Sequence, residues 1–228
     1  MVHNVPTFSP MYFSPSQIDG PLYDTVNAIG YPGAGKGTLF DNIKKELPLE
    51  VLPVGDVVRA NIKKNTPLGQ EAFPYATTGK MVPDPIIRQM IREEIETFDS
   101  TRAWGMDGFP RLPSQVELYM DLIAEKKRND LAVYLRLADT PDESELIARG
   151  RIRERIEWCL ANGWELRDDD INPTTIDRRM QEARKLFPML DEMKQSGKKI
   201  ITIDARQETV KLLEQVRMEV LPLLKINS

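Results

Sequence analysis

Short apolar runs alternate with longer amphipathic stretches along this chain from residue 24 onward. The runs at 25–29, 50–54, 103–107, 131–137 and 199–203 have the length of strands. Between them, apolar positions recur at helical spacing. Across 84–98, for instance, Ile87, Met90, Ile91 and Ile95 form one stripe, with Arg88, Arg92, Glu93 and Glu96 elsewhere. Strand and helix in alternation predict right-handed crossovers, hence an α/β fold with a parallel sheet of about five strands flanked by helices. Further helices are expected over 38–47, 141–162 and 173–196, and the stretch 162–172 has the composition of a turn. Asp56, before Val57, and Pro141-Asp142-Glu143 read as helix starts. Asn27 makes the first run weakly apolar for a buried central strand.

The chain has 228 residues, enough for one domain with a full core, and its single cysteine and single histidine narrow the chemistry sharply. Cys159 alone supports neither a disulfide framework nor a cysteine-cluster zinc site. His3 alone makes a histidine triad or histidine metal site untenable. A net charge of -4 offers no global field for nucleic acid or an anionic membrane. No stretch approaches the ~20 apolar residues of a membrane helix. Residues 1–22 carry Pro6, Pro10, Pro15 and Pro21 but no lysine or arginine. They resemble neither a secretory signal nor a presequence and are expected to be a flexible or surface-docked extension to a domain at 23–226. These features together point to a cytoplasmic protein that works with Lys, Arg, Asp and backbone groups.

The densest chemical signal is Gly30-Tyr31-Pro32-Gly33-Ala34-Gly35-Lys36-Gly37-Thr38, which follows the first strand and opens a helix. Small residues there let successive backbone N–H groups turn around a phosphate, and the helix N-terminus adds partial positive charge. Lys36 then reaches the terminal phosphates. The generic motif has Ser or Thr directly after the lysine, whereas Gly37 stands there and Thr38 comes next.

This loop resembles that of the adenylate kinases and other nucleoside monophosphate kinases, and further segments follow in the family's order. Gly55-Asp56-Val57-Val58-Arg59 is similar to its first acceptor segment, and Gly79-Lys80-Met81-Val82 to the turn that reads the acceptor base. Asp107-Gly108-Phe109-Pro110-Arg111 with Gln115 resembles its most specific signature. Arg149 with Arg153, and Arg167 with Arg179, fall where the family has lid arginines. The resemblance implies a P-loop NTPase-type sheet with a helical acceptor-binding insertion at about 53–82. It also implies a zinc-free lid of short to intermediate length at about 154–170.

The same resemblance implies ATP binding by Gly33, Ala34, Gly35, Lys36, Gly37, Thr38, Arg149, Arg153 and Gln207. AMP would be held by Val54, Arg59, Lys80, Met81, Val82, Gly108, Phe109, Pro110, Arg111, Gln115, Arg167 and Arg179. Transfer itself would fall to Lys36, Arg59, Arg111, Arg153, Arg167 and Arg179, with Asp107 holding Mg²⁺ through water. Two polyanions must meet within bonding distance, so a cluster of arginines is what the reaction needs. Helical phase sets Arg149 and Arg153 on one side and Arg151 and Arg155 on another, and the second pair is expected to be a solvated face. Trp158 and Trp164 are expected to pack, and Cys159 to be a small buried apolar residue.

Gln115 favours AMP, because an amide pairs bidentately with an adenine edge. Val54 stands where adenylate kinases usually have threonine, and it lacks the hydroxyl for the acceptor base. The expected activity is therefore reversible transfer from ATP to AMP by a monomer. A UMP/CMP kinase, or a nucleotide-binding regulatory module without turnover, remains the alternative.

Overall fold

The computed structural model describes residues 22–225, so the expected extension falls outside the described residues save for Leu22. Five strands form one sheet: β1 (Thr25–Ile29), β2 (Leu49–Pro53), β3 (Ala103–Asp107), β4 (Asp130–Arg136) and β5 (Ile200–Asp204). They lie in the order β2-β3-β1-β4-β5, and every pair is parallel. Each residue of β1 is buried, as are the first six of β4, so neither face of the sheet's centre meets water. That is the condition under which a parallel sheet is stable.

The helices are α1 (Lys36–Glu46), α2 (Val54–Lys63), α3 (Pro67–Ala76), α4 (Asp84–Ile95), α5 (Ser114–Glu125), α6 (Pro141–Asn162), the single turn α7 (Asp168–Ile171), α8 (Pro173–Ala183), α9 (Leu186–Gln195) and α10 (Thr209–Glu219). Several start where their sequences dictate. Proline occupies the first position of α3, α6 and α8, where its missing N–H costs nothing. The preceding residues Thr66, Thr140 and Asn172 accept backbone N–H bonds as caps. Gly163 ends α6 in the left-handed conformation (φ 69°).

Two expectations are corrected here. The helix foreseen over 173–196 is broken into α8 and α9 at Arg184 and Lys185. Pro188 explains the break: it has no N–H for the Arg184 carbonyl, and its ring collides with that carbonyl in a continuous helix. Asp56 is not a cap, since α2 starts at Val54 and carries Asp56 in its first turn.

The sheet register is what builds a site. Ala28 of β1 pairs with Asp107 of β3, which pairs with Pro53 of β2. The glycine-rich loop, the start of α2 and the segment after Asp107 therefore leave the sheet from one edge, side by side. At the opposite edge the Arg128 guanidinium donates to the carbonyls of Asp24, Ser100 and Arg102 and stacks 4.2 Å over the Trp104 ring. Among the described residues, no helix is long and apolar enough to cross a membrane.

Helices α2 and α3 meet through Gly69, which is buried. A Cβ there would lie 2.2 Å from the Asn61 carbonyl oxygen, a backbone atom that cannot swing aside. Gly69→Ala should therefore lower unfolding stability by about 1–3 kcal/mol. Chemical denaturation of the variant against the parent checks this.

Candidate active site

Residues 30–35 turn tightly between β1 and α1. Gly33 and Gly35 adopt positive φ (79° and 97°), which glycine takes without strain, and Gly35 caps α1. A Cβ at Gly35 or Gly37 would meet nothing within 4 Å, so the loop leaves open space at the helix N-terminus. Gly37 and Thr38 are exposed there, while Ala34 is buried beneath. Gly33 instead backs onto α6, where a Cβ built on it would lie 3.3 Å from the Cβ of Arg151. Tyr31 is buried edge-on to Phe187, and burial pushes its phenol up to about 12.

Lys36 donates to the carbonyls of Gly30 (2.9 Å) and Tyr31 (3.0 Å), which lays its chain along the loop. The residue as a whole is partly accessible, but its ammonium is surrounded by protein. Desolvation brings its pKa down to about 8; Asp107 opposes that, and Arg111, Arg179 and Arg155 add to it. One carboxylate and three guanidiniums, from the end of β3, the loop after it, α6 and α8, thus act on the same ammonium.

Each of those partners is held by local structure. Gly108 (φ 83°) carries the chain past Asp107, and its carbonyl accepts Arg111 Nε at 2.7 Å. A Cβ at Gly108 would stand 2.5 Å from the Arg111 guanidinium, so any side chain there would be strained by its positive φ and would displace that guanidinium. Phe109 and Pro110 are buried beneath the exposed Arg111. Buried Gln115 accepts the Arg111 backbone N–H (2.9 Å) and donates to Asp84 (2.8 Å). That uses one acceptor and one donor site of its amide and leaves one of each for a ligand.

The acceptor segment lies alongside. Val54 is buried at the head of α2, and Arg59, one turn on, pairs with Asp56 beside Gly55. Lys80 is exposed, Met81 half-buried and Val82 buried on the turn after α3. Helix α8 closes against that turn: Thr175 donates to the Thr77 carbonyl (3.4 Å), and Arg178 donates to the Thr78 carbonyl. A Cβ on Gly79 would lie 2.7 Å from the Thr175 carbonyl oxygen.

Helix α6 supplies the fourth side, and the expectation of a solvated face for Arg151 and Arg155 is corrected. Ser144, Ala148 and Ile152 form the buried stripe, and Arg151 and Arg155 flank it on the side of the loop. Arg151 donates to the carbonyls of Gly33 (3.4 Å), Ala34 (3.5 Å) and Ala205. Arg155 binds Asp170 at 2.5 Å, and Asp170 also binds Arg179 at 2.8 Å. Arg149 pairs with Glu145 (2.8 Å) and Asp177 (2.7 Å), while Arg153 and Arg167 are exposed. Gln207 donates to Gln215 (2.8 Å) beyond β5. Arg151, Arg155 and Asp170 are thus the site-facing residues that sequence reasoning missed. The stripe at 144, 148 and 152 was the available signal for the first two. Trp158 and Trp164 pack on each other at 5.5 Å while both stay exposed, and Cys159 is half-buried rather than buried.

The family model described as adenylate kinase matches residues 28–150, more than half of the chain. The chain belongs to the adenylate kinase family. Members of this family are nucleoside monophosphate kinases. Adenylate kinase from Pseudarthrobacter chlorophenolicus is 41% identical over 128 residues, covering 55% of this chain and 65% of that protein. The chain therefore spans just under two thirds of this relative's length. Adenylate kinase from Beijerinckia indica is 35% identical over 157 residues, covering 69% and 78%. That from Staphylococcus aureus is 33% identical over 187 residues, covering 74% and 86%. The family-model match ends at Gly150. Arg151, Arg153, Arg155, Arg167, Asp170 and Arg179 all lie beyond it, so their description here rests on geometry.

Among the described residues, no group of three or more His, Cys, Asp or Glu is placed to hold a metal ion. Asp107 is a single carboxylate at the strand end beside Lys36, a donor set that fits a hydrated Mg²⁺ arriving with a nucleotide.

The lowered pKa of Lys36 sets a sign for pH. Between about 8 and 10.5 the unfolded chain binds the proton and the folded chain does not, so this residue makes stability rise with pH there. Below pH 8 the buried charge is a standing cost. Lys36→Met should therefore melt higher than the parent at pH 7, with the difference shrinking toward pH 10.5; calorimetry across that range checks it.

Proposed function

We propose that the protein catalyses reversible phosphoryl transfer from ATP to AMP, giving two ADP. The observation that carries this reading is the convergence of Arg111, Arg155, Arg179 and Asp107 on Lys36 at the mouth of the glycine-rich loop. A nucleotide-binding module needs the loop alone, whereas joining two phosphate chains demands cations that neutralise both. In this reading Gly33 to Thr38 cradle the donor phosphates through backbone N–H groups and the start of α1. Arg149 stacks on the donor base, and the backbone near Gln207 lies against its far edge. Arg59 and Arg111 grip the acceptor phosphate, and Arg153, Arg167 and Arg179 close around the group in transfer.

The acceptor segment at about 53–82 and the lid at about 154–170 are the natural movable parts, since closure must keep water from taking the phosphoryl group. Mg²⁺, where Asp107 holds it through water, supplies charge neutralisation between the phosphates. A zinc-bearing lid would need a cluster of cysteines, and this chain has one.

Two features bear on the acceptor base. Gln115 keeps one N–H and one carbonyl lone pair free, the complement of an adenine edge. Val54 offers no hydroxyl, which costs the acceptor about 0.5–1.5 kcal/mol of binding when nothing buried is stranded. AMP is therefore the preferred acceptor, bound more weakly than a threonine would allow.

ADP formation from Mg·ATP should be measured with AMP, UMP, CMP and GMP offered separately, beside Lys36→Ala. Turnover should be fast with AMP and lost in the variant. Preference for UMP or CMP would move the protein to a pyrimidine nucleotide kinase. ATP binding without turnover on any acceptor would reduce it to a nucleotide-binding module.

A further inference from the structure

A glutamine amide is nearly symmetric in shape, so its neighbours decide which end is the oxygen and which the nitrogen. At Gln115 they leave one orientation. Its Oε1 accepts the backbone N–H of Arg111 at 2.9 Å, and its Nε2 donates to Oδ1 of Asp84 at 2.8 Å. Turning the amide over would set donor against donor at Arg111 and oxygen against oxygen at Asp84. Asp84 is itself fixed in place. It opens α4 between Pro83 and Pro85, which restrict the backbone there, and its Oδ2 accepts the Ser114 hydroxyl at 3.2 Å. Gln115 is buried and Asp84 half-buried, so water competes little for these bonds. The orientation matters to a ligand, because the free N–H lies at the Nε2 end and the free lone pair at Oε1. Adenine offers an amino group beside an unprotonated ring nitrogen. Hypoxanthine, of the same size and shape, offers a carbonyl oxygen beside a ring N–H.

We infer that Asp84 is a positioning residue for acceptor-base choice. By fixing the Gln115 amide, it makes the site take a purine with an amino group beside an unprotonated ring nitrogen and reject the oxo counterpart. This rests on the phosphoryl-transfer reading above, with Gln115 against the acceptor base, and it adds a residue that touches neither nucleotide. An oxo purine pairs with the amide only after the amide turns over. In the parent that turn breaks two bonds and leaves two mismatched contacts, at Arg111 and at Asp84. With the carboxylate removed, the Arg111 N–H alone opposes it. Ser114 plays a different part: it steadies Asp84 without meeting the amide.

The test offers AMP and inosine monophosphate separately, with Mg·ATP, to the full chain and to Asp84→Ala, Asp84→Asn and Ser114→Ala. The parent should favour AMP in kcat/KM. Asp84→Ala should narrow that preference by about tenfold, with the KM for AMP rising more than kcat falls. Asparagine keeps an oxygen that accepts from Nε2, so Asp84→Asn should hold the preference within about threefold of the parent. It also guards against a mere loss of folding, which melting temperatures report. Ser114→Ala should keep the parent preference. A preference undiminished in Asp84→Ala overturns the inference, as does a parent that treats the two monophosphates alike. An equal fall in Ser114→Ala overturns it too, by tracing the effect to looser packing of α4 on α5. If the parent phosphorylates neither monophosphate, the kinase reading fails, and the ratio of calorimetric Kd values for the two across the same variants still decides Asp84.

Discussion

Like charges crowd together in this molecule before any ligand is present. Lys36, Arg111, Arg155 and Arg179 act within reach of one another, with Asp107 and Asp170 as their compensating carboxylates. Such an arrangement opposes folding, and it adds to the desolvation that chiefly lowers the Lys36 pKa. It persists because each cation is anchored by a fixed partner: two loop carbonyls for Lys36, the Gly108 carbonyl for Arg111, and Asp170 for the other two. The stored repulsion is what a phosphate chain relieves on binding, so ligand affinity and intrinsic stability are set against each other at the same atoms.

The rest of the fold serves to hold those anchors still. Parallel register across Ala28, Asp107 and Pro53 brings three connections out at one edge of the sheet. Positive φ at Gly33, Gly35 and Gly108 then turns two of them toward one another without side-chain interference. On the far side, α6 and α8 close the ring, one through Arg151 on the loop and the other through Thr175 and Arg178 on the turn at 77–79. Asp170 links these two helices by accepting from Arg155 of one and Arg179 of the other. A carboxylate with so little exposure is expensive unless both of its oxygens are matched, as they are here.

The division between legible and hidden features follows the range of the forces involved. The five strands and the helices α1 and α6 were readable within two residues because periodicity, proline at helix starts and capping residues act over a single turn. Where α8 and α9 separate, the cause was also local, since Pro188 cannot accept continuity with Arg184. The phosphate loop and the run from Asp107 to Arg111 were readable for a similar reason: backbone conformations that only glycine takes easily constrain the residue types allowed there.

The arginines were a different matter. Sequence alone determined that Arg151 and Arg155 share a side of α6 and that Arg149 and Arg153 share another, because helical phase is a property of the backbone. It could not say which side meets the loop. That depended on how Ser144, Ala148 and Ile152 bury against the sheet and on where Asp170, fifteen residues later in the chain, comes to rest. Gln115 shows the same limit: its amide was evident in the sequence, but its ties to Asp84 and to the Arg111 backbone arise only when α4 and α5 pack together. The sequence by itself determined the elements, the phosphate loop and the family; tertiary packing decided which charges face one another, because Coulomb forces act through space and not along the chain.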